Sequence, residues 1–259
     1  MKLPAIFTPI VVLYQNVRDI ARLFAETVFY TFTPPYRLRP ILDQIYWIGV
    51  NSTAIVLSTI AFVGMISIVE LSFQMDTVLH TTEFVPGFAT VLILREFASV
   101  IPAAMMAGKV GAGITAEIGS MQLTEQIDAL RLISINPVRH LVVPRFVASV
   151  LSLMMLSCIA AVVAIITGMI VCSISLDIDW LLFINSARNF VKPIDLGINV
   201  FKAFIFGMII PVVASYYGFR TTGGAEGVGI ACTKSVVYSG LVIVILDFFM
   251  TWVASVYIL

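Results

Sequence analysis

Arg95 and Glu96 stand side by side within an otherwise apolar stretch, about 84–107, and Asp247 stands near the centre of another, about 235–257. A charge at the middle of a membrane helix costs about 2.5 to 3.5 kcal/mol even on the lenient insertion scale. Consecutive helical residues point about 100° apart, so the adjacent Arg95 and Glu96 cannot simply neutralise each other on one face. Two chemistries answer that cost: an interhelical ion pair, with Asp247 or Lys202 as partner, or a polar lining for a charged or amphiphilic substrate. Pro102 adds a freed carbonyl, that of Ala98, to the same stretch. Asp247 has Thr251 one turn away, which suits either a hydrogen bond to a neighbouring helix or a substrate contact. Lys202 is expected near the outer end of its span, where it could snorkel.

Other chemistries find little support. His80 and His140 fall on opposite sides of the expected membrane, and no Cys/His spacing fits a metal. Cys158 and Cys172 lie roughly 21 Å apart along one helix and cannot join, so they read as small apolar residues. Gly108-Lys109 lacks both the glycine five positions earlier and the following Ser or Thr of a phosphate loop, and no strand precedes the glycines at 223–229. The chain therefore carries no nucleotide motif and no cofactor site of its own. Two carboxylates could serve an intramembrane enzyme as acid and base, but no nucleophile or metal motif accompanies them.

The elements that position these charges follow from composition. Of 259 residues, 60% are hydrophobic and 12% charged, with a mean hydropathy of +1.04, whereas soluble domains run at about 45 to 50% and about 25%. This is a multi-pass, all-α membrane protein. Fifteen Lys+Arg balance fifteen Asp+Glu, which excludes nucleic-acid binding by bulk charge. Five spans are expected, at about 44–69, 84–107, 146–176, 199–217 and 235–257. Eleven Lys and Arg lie in the segments on one side and two, Arg188 and Lys192, on the other. Positive residues stay in the cytoplasm, so the N-terminus is expected there and the C-terminus outside.

Residues 1–40 lack a small-residue cleavage site after the apolar stretch Leu3 to Tyr14, and so do not read as a signal peptide. Gln15, Arg18, Asp19, Arg22 and Glu26 alternate with Ile20, Leu23, Phe24, Val28 and Phe29 at helical spacing, which predicts an interfacial amphipathic helix ended by Pro34 and Pro35. Between the second and third spans, Glu117, Thr124, Asp128 and Arg131 form one stripe and Leu123, Ile127 and Leu130 another. Thr124 is the expected N-cap, with Glu125 and Asp128 in the first turn and Asn136-Pro137 as the stop. The expected product is a cytoplasmic helix over about 117–133, either fitted to a partner's groove or a simple surface connector.

In order and spacing, Leu94-Arg-Glu-Phe-Ala, Ala107-Gly-Lys-Val-Gly-Ala-Gly-Ile-Thr-Ala-Glu-Ile-Gly-Ser-Met, Thr124-Glu-Gln-Ile-Asp-Ala-Leu, Asn136-Pro-Val-Arg and Gly223-Gly-Ala-Glu-Gly-Val-Gly resemble the MlaE/YrbE permease family. That resemblance implies a single permease domain over 1–259, the membrane subunit of an ABC-type lipid transporter of the bacterial inner membrane. It also implies a homodimer, separate ATPase subunits that bind ATP, an MCE-domain lipid carrier and a small accessory protein on the ATPase. Arg95, Glu96, Lys202, Lys234 and Asp247 match charged positions of the family's lipid path. Glu117, Thr124, Glu125, Asp128 and Arg131 fall on its ATPase-coupling segment, where Arg131 replaces a glycine of the related importer loop. An ion-coupled carrier using Glu96 and Asp247 is the alternative, although the chain has no internal repeat.

Overall fold

Inside lipid a chain must satisfy its own backbone, and charge-free apolar segments do so as helices. The computed structural model describes residues 8–34 and 38–257 and contains five helices long and apolar enough to cross a membrane. Among the described residues there is no strand. Lys2, Pro35, Arg37 and the start of the apolar N-terminal stretch at Leu3 lie outside the described residues.

In chain order the helices are α1 (Thr8–Thr31), α2 (Leu38–Val78), α3 (Val85–Leu123), α4 (Gln126–Leu132), α5 (Val138–Leu176), α6 (Trp180–Phe190), α7 (Pro193–Phe219) and α8 (Gly224–Tyr257). The spanning helices α2, α3, α5, α7 and α8 outrun the charge-free windows because a helix ends at a turn, not at the first charge. His80 at φ 51° closes α2 and Asp177 at φ 52° closes α5. Wider π turns lie within α2 at Tyr46–Val50 and within α3 at Ile93–Phe97 and Ala107–Gly111, and α5 opens on one at Val138–Val142.

Helix α5 is the hub, packed along α2 on one side and α7 on the other, while α7 also meets α3 and α8. Small residues allow the closest approaches. A Cβ on Gly64 would stand 2.3 Å from the Ala164 carbonyl oxygen, and one on Gly207 would stand 2.8 Å from Val150 Cα. Ile114, Ile118, Leu153, Phe206 and Ile210 fill the centre with no exposed surface.

The amphipathic α1 does more than lie in an interface. Ile20 and Leu23 pack on the cluster of Val213, Tyr216 and Tyr217, and Phe24 meets Phe146 edge-on at 6.2 Å. Tyr216 donates to Asn16 Oδ1 (2.8 Å), and Arg220 pairs with Asp19 (2.5 Å). Helix α6 closes the opposite end, where Phe190 lies 4.9 Å from Phe88.

The single helix expected over 117–133 is two pieces. Helix α3 runs without a break from the second span to Leu123, so Thr124 closes a helix instead of opening one: its hydroxyl donates back to the Ser120 carbonyl (2.9 Å). Glu125 is left-handed (φ 58°) and turns the chain into the seven-residue α4. Asn136-Pro137 does not stop a helix but starts one, with Asn136 Oδ1 accepting from the Val138 amide at 2.8 Å.

Candidate functional site

The π turn at Ile93–Phe97 carries Arg95 and Glu96, and it lets two consecutive charges find separate partners on neighbouring helices. Arg95 Nε donates to Asp195 Oδ1 at 2.7 Å. Glu96 Oε2 accepts from Lys202 at 2.9 Å, and Glu96 Oε1 from the Thr251 hydroxyl at 2.9 Å. Lys202, wholly buried, gives its three protons to Glu96, the Arg95 carbonyl (2.8 Å) and Thr251 Oγ1 (2.7 Å). Asp247 Oδ1 also lies 2.8 Å from that ammonium, as an ion contact without a proton left to share.

The positioning is helical arithmetic. Asp195, Asn199 and Lys202 stand at i, i+4 and i+7 on α7, one stripe, and Asp247 and Thr251 at i and i+4 on α8. Asp195 is fixed twice, since its Oδ2 accepts from the Lys192 amide (2.8 Å) and caps the start of α7. Asn199 is buried on the same stripe, with no hydrogen-bond partner for its amide among the described residues.

Three carboxylates thus surround two cations, and the buried charges are paired as a low-dielectric site requires. The terminal guanidinium nitrogens of Arg95 make no hydrogen bond among the described residues, and the side chain is 28% exposed. They can donate to an incoming anionic group. Beside Lys202 a cavity of about 460 Å³ opens between α7 and α8, walled by Ile198, Phe201, Phe249, Met250 and Val253. Apolar walls of this kind suit acyl chains.

Of the residues singled out from sequence, Arg95, Glu96, Lys202 and Asp247 meet here. Lys202 does not snorkel: α7 begins at Pro193 instead of 199, which carries the lysine deeper and buries it. Lys234 is not part of the cluster, since it precedes Asp247 by thirteen residues of continuous helix, roughly 20 Å. Asp195 and Asn199 were the residues sequence reasoning missed, although their spacing to Lys202 was the available signal.

The expected coupling residues divide. Glu117, its own side chain half exposed, pairs with the buried Arg145 (2.5 Å), which also donates to the Leu141 carbonyl (2.7 Å). Thr124, Glu125, Asp128 and Arg131 are exposed, the last two paired at 2.9 Å, while Ile127 anchors α4 in the core.

The family model for the permease MlaE matches residues 41–253. A probable ABC transporter permease of Synechocystis is 38% identical over 83% of this chain and 81% of its own. Another, from Rickettsia felis, is 35% identical over 92% and 91%. The chloroplast protein of Arabidopsis thaliana named trigalactosyldiacylglycerol 1 is 33% identical over 81% of this chain and 60% of its own. With its five spans, its charged seam and these relatives, the chain belongs to the MlaE permease family.

Proposed function

We propose that the chain is the membrane subunit of an ATP-driven lipid transporter. The observation that carries this reading is the charged cluster of Arg95, Glu96, Lys202 and Asp247 set within the spans, with an apolar cavity against its Lys202. Arg95 meets a phosphate or other anionic headgroup while the cavity walls hold acyl chains. The relatives named as ABC transporter permeases support a partnership with ATPase subunits, which this chain needs because it carries no nucleotide motif. The relative named for a galactolipid supports a lipid cargo.

In this reading two copies form a homodimer in the bacterial inner membrane, with the N-terminus cytoplasmic and the C-terminus periplasmic, as the eleven-to-two distribution of Lys and Arg favours. The ATPases, with a small accessory protein, dock on the exposed face of α4. An MCE-domain protein receives or delivers phospholipid at the α6 end. ATP-driven closure of the ATPases moves α4 and squeezes the cavity.

The test is transfer of a fluorescent phospholipid in vesicles holding the copurified complex. Arg95→Ala is expected to abolish transfer while the ATPase and MCE proteins still copurify. Full transfer by that variant, or transfer driven by an ion gradient with no ATPase present, would overturn the assignment.

A further inference from the structure

Lys234, excluded by distance from the Arg95 cluster, belongs to a different concavity. At the α1 end a cavity of about 510 Å³ lies between α1, α7 and α8, lined among others by Asn16, Tyr217, Arg220, Lys234 and Tyr238. Tyr217 is only 8% exposed and its hydroxyl has no hydrogen-bond partner among the described residues. A buried orphan hydroxyl is costly, and a ligand oxygen would satisfy it. Its ring is held by stacking on Tyr238 at 5.4 Å.

The charges around it are unequal. Arg220 is balanced by Asp19 and lies over the Tyr216 ring at 4.6 Å, so its direction is fixed. Lys234 is exposed and makes no ion pair among the described residues. It therefore supplies an uncompensated cation at the cavity mouth.

We propose that this cavity is a second lipid site, which takes the phosphate of an anionic phospholipid from the leaflet in which α1 lies. Lys234 and Arg220 meet the phosphate and Tyr217 donates to one of its oxygens. Helix periodicity supplies the place for the acyl chains. Val237, Leu241, Val244 and Phe248 follow Lys234 down the same exposed face of α8, between 51% and 65% exposed. A phosphate held at Lys234 has an apolar track directly beneath it. The site is independent of the transport reading, because it shares no residue with the Arg95 cluster and is tested by binding alone.

The experiment is native mass spectrometry of the purified full chain in detergent, titrated with phosphatidylglycerol or phosphatidylcholine, in an Arg95→Ala background that disables the other headgroup site. Phosphatidylglycerol is expected to bind, and Lys234→Gln to weaken it by about tenfold, as loss of a charge-assisted hydrogen bond does. Tyr217→Phe, which keeps the ring and the stack, is expected to weaken it several-fold. Equal binding of the two lipids, or unchanged phosphatidylglycerol binding in both variants, would overturn the site. An excess of inorganic phosphate separates the two sources of the same chemistry. Retention of the lipid supports a membrane ligand, and its complete displacement overturns that in favour of free phosphate.

Discussion

Replacing Lys202 by Met keeps most of the length of the unbranched side chain and removes its charge. In the native protein the ammonium is 1% exposed and holds four oxygens within 2.7 to 2.9 Å: those of Glu96, Asp247, Thr251 and the Arg95 carbonyl. Its loss leaves Glu96 and Asp247 facing each other without a cation between them, their side chains only 25% and 18% exposed. Breaking one buried pair costs about 3 to 5 kcal/mol, and here one substitution breaks two, so the expected loss lies at the upper end, about 5 kcal/mol. The Arg95–Asp195 pair and the Thr251–Glu96 bond survive and limit the damage. Equilibrium unfolding in mixed detergent micelles, followed by circular dichroism, reads the difference. The triple variant Lys202→Met, Glu96→Gln, Asp247→Asn removes the orphaned charges and is expected to recover most of the stability, since an apolar or neutral replacement of a whole buried pair is often tolerated. If Lys202→Met unfolds within about 1 kcal/mol of the native chain, or the triple variant is no better than the single one, the lysine is not the keystone described here.

Three further outcomes are expected. Desolvation alone would raise the Asp19 carboxyl, but Arg18 and Arg220 more than offset it and hold the group below its ordinary value. The clamp on α1 is thus intact above the ordinary carboxylate range and lost as pH falls through the lowered native value. Hydrogen exchange of α1 amides is expected to quicken below about pH 4 in the native chain and to show no such step in Asp19→Asn. Gly64→Leu has no room against the Ala164 carbonyl, 2.3 Å from its first added carbon, and is expected to prevent stable accumulation, read by size-exclusion yield. Charge reversal at the exposed Glu125 and Asp128 should leave folding unchanged but abolish ATPase copurification; normal copurification would remove α4 from the docking surface.

The spans were legible because hydrocarbon leaves a chain few alternatives, and a run such as 44–69 without a charge has no other solution. That Arg95 and Glu96 needed partners was equally legible, from cost alone. Which partners they took was not, since pairing depends on how α3, α7 and α8 are rotated against one another. Asp195 is not legible because the apolar run of the fourth span starts only at about Asn199, whereas the helix starts at Pro193 with that aspartate as its own cap. Helix α6 escaped for another reason: at eleven residues it is too short for a span, and its stability comes from docking Phe183 and Phe190 on the bundle. The break at Glu125 left no glycine to announce it, and Thr124 followed by acidic residues imitates the start of a helix as well as it serves the end of one.

The pairing also constrains how Arg95 can respond to a ligand. Its Nε is bound to a carboxylate that is wholly buried and whose other oxygen holds the first turn of α7 through the Lys192 amide. Any anion that drew the guanidinium away would leave Asp195 with only that backbone partner, an uncompensated charge in a dry site. An anion that engages the free terminal nitrogens while Nε stays on Asp195 incurs no such penalty. The geometry therefore favours a headgroup that adds to the ion pair over one that replaces it. It also links an anion held at Arg95 to the start of α7, directly after α6.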